Sequence, residues 1–285
     1  MSVTRPADRV TQPGSSFTDL RLLLDNSLVV RHVAVRLEQC KAGDKATAIR
    51  LHMERMSFDV MGVQENGVLR GYVRRADLKS GRCGDHSKPF APQDIISSAT
   101  PLAEVLPLLR SRPHLFVLDR AELDGLVTRA DLQKAPVRML LFGLVSLLEA
   151  SLTAMVRICF LDGSFESRLS PGRQQKAGQL FAERRGRNEE IDLADCLKLA
   201  DKLGLLAGVP DFLSFFGLPE ARSARKQFEA MEALRNRLAH GQDLVTGTTW
   251  EAVIGTALAI DDFLGRYDRD QAVFARRFRG AAGKS

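Results

Sequence analysis

Cysteine is scarce in this chain of 285 residues. Cys40, Cys83, Cys159 and Cys196 show no paired spacing and have no histidine pattern beside them. That argues against a disulfide framework and against a structural zinc site, so no metal is expected. The N-terminus has no leader-like pattern, and the thiols are expected to be free in a reducing cytoplasm. Low-complexity sequence is nearly absent, and hydrophobic residues make up 45% of the chain. The chain can therefore fold into one large or two ordinary domains. His32, His52, His86 and His114 are scattered and read as structural or surface residues. Neither sign of charge dominates. The net charge is +6, with 20 basic and 16 acidic residues before Pro136 and 21 and 19 from there on. Bulk charge therefore says little about a nucleic-acid partner. Local clusters remain at Arg184, Arg185 and Arg187, at Arg222, Arg225 and Lys226, and at Arg276, Arg277 and Arg279. A solvated helix face is the first reading of each, phosphate contact the second.

One long uncharged run lies between Arg138 and Arg157, with Glu149 its only ionisable residue. A bilayer span would bury that carboxylate near its centre at a cost of roughly 2.5–3.5 kcal/mol. Ser146, Glu149, Thr153 and Arg157 recur at three- and four-residue intervals, one polar stripe on an apolar helix. The pattern is that of a central bundle helix or a dimer contact, and no membrane partner is expected.

The first half contains an internal repeat. Gly71-Tyr72-Val73-Arg74-Arg75-Ala76-Asp77-Leu78 aligns with Gly125-Leu126-Val127-Thr128-Arg129-Ala130-Asp131-Leu132, identical at six of eight positions and offset by 54 residues. Each copy follows a short apolar run, Val60 to Val63 and Leu115 to Leu118, and a polar turn, which predicts a hairpin leading into a helix. Helical stretches are predicted upstream, from Asp44 to about Met56 and from Leu102 to Leu109, the second shortened by Pro107. Trp250, in the second half, reads as core.

This duplication resembles a tandem pair of CBS domains, an α+β arrangement of two βαββα-like modules over residues 17–135. The resemblance implies a disc whose clefts hold an adenine nucleotide (ATP, ADP or AMP). It also implies ribose binding by Asp131 and Asp77 and a ribose or phosphate contact from Thr128. Arg74 stands where that pattern has threonine or serine, so it either contacts phosphate or fills the cleft. One working cleft, around Asp131, is expected. The competing reading of both aspartates is helix N-capping.

Past Pro136 the periodicity is helical throughout, with helices predicted over about 136–161, 174–187, 193–206, 219–240 and 249–267. An all-α bundle over residues 136–279 follows, with a flexible arm at 1–16 and a flexible tail at 280–285. Within the fourth helix, Ala224, Phe228, Met231, Leu234 and Leu238 form an apolar stripe. It ends in Leu234-Arg235-Asn236-Arg237-Leu238-Ala239-His240-Gly241. RNA can be cut without a metal when its 2′-hydroxyl attacks the adjacent phosphate, given proton exchange and a facing cation. Histidine exchanges protons near neutral pH, and arginine's fork matches phosphate oxygens. The bland reading places Arg237 and His240 in a last turn, where cations suit the helix dipole. On an ideal helix Arg235 and His240 point about 140° apart, so one copy does not readily bring both onto one phosphate.

The segment also resembles the Arg-x4-His signature of the HEPN family of helical ribonucleases. That resemblance implies a composite site at a homodimer interface, with Arg235, Asn236 and His240 catalytic and no cofactor for catalysis. A tetramer through the sensor discs is a further expectation. Glu149 is a lesser candidate for orienting Arg235 or His240, its competing role being an interhelical salt bridge. The combined expectation is a metal-independent endoribonuclease acting on RNA and gated by nucleotide, a toxin or antiphage effector with an antitoxin encoded nearby. The alternative is a non-catalytic adenylate-sensing regulator whose helical half mediates dimerisation and partner binding.

Overall fold

The computed structural model describes residues 17–218 and 221–281. The arm expected at 1–16, most of the tail, and the first helical turn expected at Pro219 and Glu220 lie outside the described residues. The chain divides into two compact units: Asp25–Arg138, and Met139 onward together with the residues up to Leu24. The chain is described from α1 (Phe17–Ser27), a helix the sequence reading did not contain. Its residues to Leu24 fall with the helical unit, where Arg21 pairs with Asp261 at 2.6 Å. That differs from the division at residue 135, which followed the repeat alone.

In the sheet unit, β1 (Val35–Arg36), β2 (Gln39–Lys41), α2 (Ala46–Met56), β3 (Val60–Glu65) and β4 (Val68–Arg74) make the first copy. The second consists of β5 (Ile95–Ser97), α3 (Leu102–Ser111), β6 (His114–Asp119) and β7 (Glu122–Thr128). One sheet has the order β2-β3-β4 and the other β1-β7-β6-β5, with β2 parallel to β3 and β5 parallel to β6. The hairpins superimpose in register: Val60 faces Arg74 as His114 faces Thr128. A bulge follows Val63 in one and Val117 in the other. Asn66 (φ 50°) and Arg120 (φ 51°) take matching left-handed turn positions. The repeated glycine is a packing requirement in both copies. A Cβ on Gly71 would lie 2.3 Å from the Lys88 carbonyl oxygen, and one on Gly125 would lie 2.8 Å from the Val117 Cβ.

Helix α2 buries Ala46 and Met53 against Cys40, Met61, Val63 and Val73. Fully burying a side chain such as Met53 contributes roughly 1.5–3 kcal/mol. A second cluster joins residues of both sheets, with the Tyr72 and Phe116 rings 4.8 Å apart. Helix α3 runs through Pro107 to Ser111, contrary to the shortening expected there. Its buried residues Leu102, Val105, Leu106 and Leu109 make tertiary packing the stronger influence.

The helical unit comprises α4 (Ala135–Cys159, which begins in the sheet unit), α5 (Pro171–Gly186), α6 (Leu199–Ala207), α7 (Phe212–Phe215), α8 (Ala221–Ala239) and α9 (Trp250–Phe278). Among the described residues, α4 is the one helix long and apolar enough to cross a membrane, and 61% of its apolar stretch is buried. Of its polar stripe, Ser146 and Arg157 are exposed, Glu149 is half-buried and Thr153 is buried. The single helix expected over 193–206 is broken. Asp192 caps a short turn at Leu193–Cys196 by accepting from the amides of Ala194 and Asp195, and α6 starts anew at Leu199. Arg157 holds the break by pairing with Asp192 and Asp195, each at 2.6 Å. Burial opposes the charge of Asp192, but Arg157 prevails and keeps its carboxyl below the usual range.

Helix α7 was not foreseen either; its Phe212 and Phe215 pack on Phe274 of α9, and Phe216, just past its end, stacks on Phe263 at 4.2 Å. Helix α9 continues beyond the expected end at 267 to Phe278, with a break at Asp270 (φ −110°, ψ 15°). Trp250, expected in the core, is only half-buried at the start of that helix. The arginine clusters are laced into ion pairs: Arg184 with Glu189 at 2.6 Å, Arg225 with Glu229 at 3.1 Å, and Arg277 with Asp211 at 3.0 Å.

Candidate functional site

Helix α8 presents Ala224, Phe228, Met231 and Leu234 to the core, as its periodicity predicts, while Leu238 is half-buried. It ends after Ala239 because Gly241 adopts φ 63°. The Gln242 amide donates to the Arg237 carbonyl at 2.9 Å and the Gly241 amide to that of Leu238 at 3.3 Å. This double closure satisfies two of the carbonyls a helix leaves open and fixes the last turn. Arg237 is drawn away from the site face, donating to the Thr246 carbonyl at 3.1 Å.

Arg235 Nε donates to Glu149 Oε1 at 3.1 Å, across from α8 to α4. Its Nη1 donates to Asn236 Oδ1 at 3.2 Å. Three of the four sequence-predicted residues thus meet in one cluster at the end of α8. The side chains of Arg235 and Glu149 are 42% and 32% exposed, so the pair remains within reach of a ligand. His240, just past the helix end, is exposed; its backbone amide donates to the Asn236 carbonyl at 3.1 Å, which ties its main chain to the last helical turn. The cluster can present a guanidinium aimed by a carboxylate to an anion.

Sequence reasoning missed Lys202 of α6. Its side chain is only 5% exposed, and its Nζ donates to the Glu149 carbonyl oxygen at 3.5 Å. Its position on an apolar face between Leu199 and Leu206 gave no periodicity signal. A groove of about 480 Å³ between α6 and α8, lined by Leu203, Phe228 and Glu232, was equally unmarked.

The two repeated aspartates have different surroundings. Asp131 is 7% exposed, and its Oδ2 accepts from the Thr128 amide at 2.7 Å and the Thr128 hydroxyl at 2.9 Å. Lys134 pairs with Oδ1 at 2.7 Å. Asp131 therefore caps the short helical turn Arg129–Gln133 in this structure. Asp77 is 36% exposed, with Lys88 at 2.5 Å and Arg74 at 3.5 Å, both on Oδ2. The bond from Lys88 holds the Asp77 carboxyl below its ordinary range. Arg74 thus lies against the aspartate of its own copy. Of the two, Asp77 is the acceptor more accessible to a diol, though a ligand there competes with Lys88. His32, His86 and His114 have structural surroundings; His114 is buried against Tyr72 and Phe116, and burial pushes its pKa down.

No protein-family model matches the chain, and no curated protein matches it. Its structural neighbours are CBS-domain proteins. The CBS-pair protein CBSX2 from Arabidopsis thaliana shares 18% identity, with 39% of this chain and 95% of that chain covered and a TM-score of 0.34. CBSX2 in complex with AMP gives 18%, 40%, 98% and 0.35. The CBS domain of a bacterial CNNM/CorC family Mg2+ transporter in complex with ATP gives 16%, 42%, 94% and 0.34.

Proposed function

We propose that the protein is a metal-independent endoribonuclease whose helical unit cuts RNA and whose sheet unit senses an adenine nucleotide. The observation that carries the reading is the Glu149–Arg235 pair beside Asn236 at the end of α8, one helical turn before His240. In the proposed reaction the RNA 2′-hydroxyl loses its proton to a histidine and attacks phosphorus. The 5′-oxygen leaves with a proton, and Arg235 stabilises the charge on the non-bridging oxygens. The products are a 2′,3′-cyclic phosphate and a 5′-hydroxyl end. A second copy of the chain supplies the second imidazole, so the active form on this reading is a homodimer. RNA cleavage in a toxin or antiphage setting, held in check by a partner encoded nearby, is the biological role that follows.

For the sheet unit, support comes from the duplicated hairpins with their aspartates at matching positions. Nucleotide binding there alters cleavage if the ligand prefers one arrangement of the protein over another. The decisive experiment is cleavage of end-labelled total RNA and tRNA in excess chelator, comparing wild type with His240→Ala, with and without AMP or ATP. Discrete cuts by wild type alone are expected. In a second reading, a non-catalytic nucleotide-sensing regulator, the Arg235–Glu149 bond is an interhelical tie alone. Equal patterns from wild type and variant would remove the nuclease reading and leave this one.

A further inference from the structure

We propose that Lys202 is a positioning residue for the α8 site, tying to α6 the turn of α4 from which Glu149 reaches Arg235. The inference rests on the ribonuclease reading for its catalytic consequence, but not for the coupling itself. A lysine 5% exposed on an apolar helix face is unusual, because an ammonium taken out of water loses several kcal/mol of hydration. Its side-chain hydrogen bond is a long one, 3.5 Å, to the Glu149 carbonyl oxygen. The Thr153 hydroxyl donates to that same carbonyl at 2.9 Å. Lys202 therefore fixes the turn of α4 from which Glu149 reaches Arg235.

The charges agree with this placement. Burial pushes the pKa of Lys202 down, and Glu149 is the first of the carboxylates pulling it back, ahead of Asp195 and Asp201, while Arg157 opposes them. The Glu149 carboxylate itself bonds Arg235, whose plane is held by the 3.1 Å bond. Without Lys202 the turn that carries Glu149 loses its tie to α6, and that bond is less well aimed.

The test uses the full-length chain and Lys202→Met, a near-isosteric change that removes the charge. Such replacements of buried ions are often neutral or stabilising, so a melting temperature at or above wild type is expected. The kcat for RNA is expected to fall at least tenfold with KM within twofold, and to fall no further when Lys202→Met is added to Glu149→Gln. The Arg235 Nε–H resonance, assigned by its loss in Arg235→Lys, is expected to move in Lys202→Met. Wild-type kcat together with an unmoved resonance would overturn the proposal. If wild type cuts no RNA, the ribonuclease reading fails, and the resonance alone decides the coupling: movement supports it, no movement overturns it. Should Lys202→Met not fold, Lys202→Gln carries the same expectations.

Discussion

Glu149 Oε1 and Arg235 Nε lie 3.1 Å apart, joining residues 86 positions apart in sequence on helices α4 and α8. Both side chains are partly exposed, so the pair itself contributes only about 0–1 kcal/mol to stability. Its larger effect is directional. Glu149→Gln is expected to leave the melting temperature within a few degrees of wild type and to lower RNA cleavage about tenfold or more. Normal cleavage by a folded Glu149→Gln would reduce the pair to an interhelical tie.

Arg235→Ala and His240→Ala are each expected to lower the cleavage rate by about 10²–10⁴-fold, the range for losing a proton-transfer group or its facing cation. Chelator should not change the wild-type rate. Specific activity should fall on dilution as dimers separate, with sedimentation reporting monomer over the same concentrations. A rate per chain that is constant across the monomer–dimer range would rule out the composite site.

The two repeated aspartates should respond differently to truncation. Asp131→Ala removes a buried carboxylate that caps a turn through Thr128 and pairs with Lys134, and about 1–3 kcal/mol of stability should go with it. Asp77→Ala removes an exposed partner of Lys88 and should change stability by less than about 1 kcal/mol. Titration of both variants with AMP by calorimetry then reads each copy: loss of binding in Asp77→Ala without loss of fold would place the ligand in the first.

Alkaline pH should loosen both units through their buried thiols. Burial raises Cys159 from an ordinary 9.0 to about 12, and burial with the neighbouring Cys83 does the same for Cys40. Above pH 9 the unfolded chain releases these protons while the folded chain keeps them, so stability is full below 9 and falls as pH rises toward 12. Between pH 8 and 10.5 each thiol accounts for about 2 kcal/mol. Urea unfolding at the two pH values should show Cys159→Ala less stable than wild type at pH 8 but with a smaller further loss at pH 10.5. Identical pH losses would refute the attribution.

Much of the fold could be read from the chain because its signals were local and repeated. The Gly71 and Gly125 segments betrayed the duplication, and the stripe Ala224–Phe228–Met231–Leu234 marked the buried face of α8. What escaped depended on contacts distant in sequence. Arg157 breaks a helix by reaching Asp192, buried packing carries α3 past Pro107, and α1 pairs through Arg21 with Asp261. At the candidate site, the resemblance to the Arg-x4-His signature singled out Arg235, Asn236 and His240, and Glu149 stood out as the lone ionisable residue of an apolar run. Lys202 did not, because nothing in a sequence distinguishes a buried lysine from the exposed ones around it.

The duplicated hairpin has a consequence for how this protein can diverge. Bulge, left-handed turn residue and close-packed glycine recur at matching places in both copies, so the backbone path is specified by a few residues while the residue at the strand end differs between them. Position 74 can then be arginine while its counterpart 128 is threonine, with no change in register. The two halves are interchangeable castings with separately machined tips: residues 114–128 transplanted onto 60–74 should follow the same route through space while carrying a different chemistry to its end.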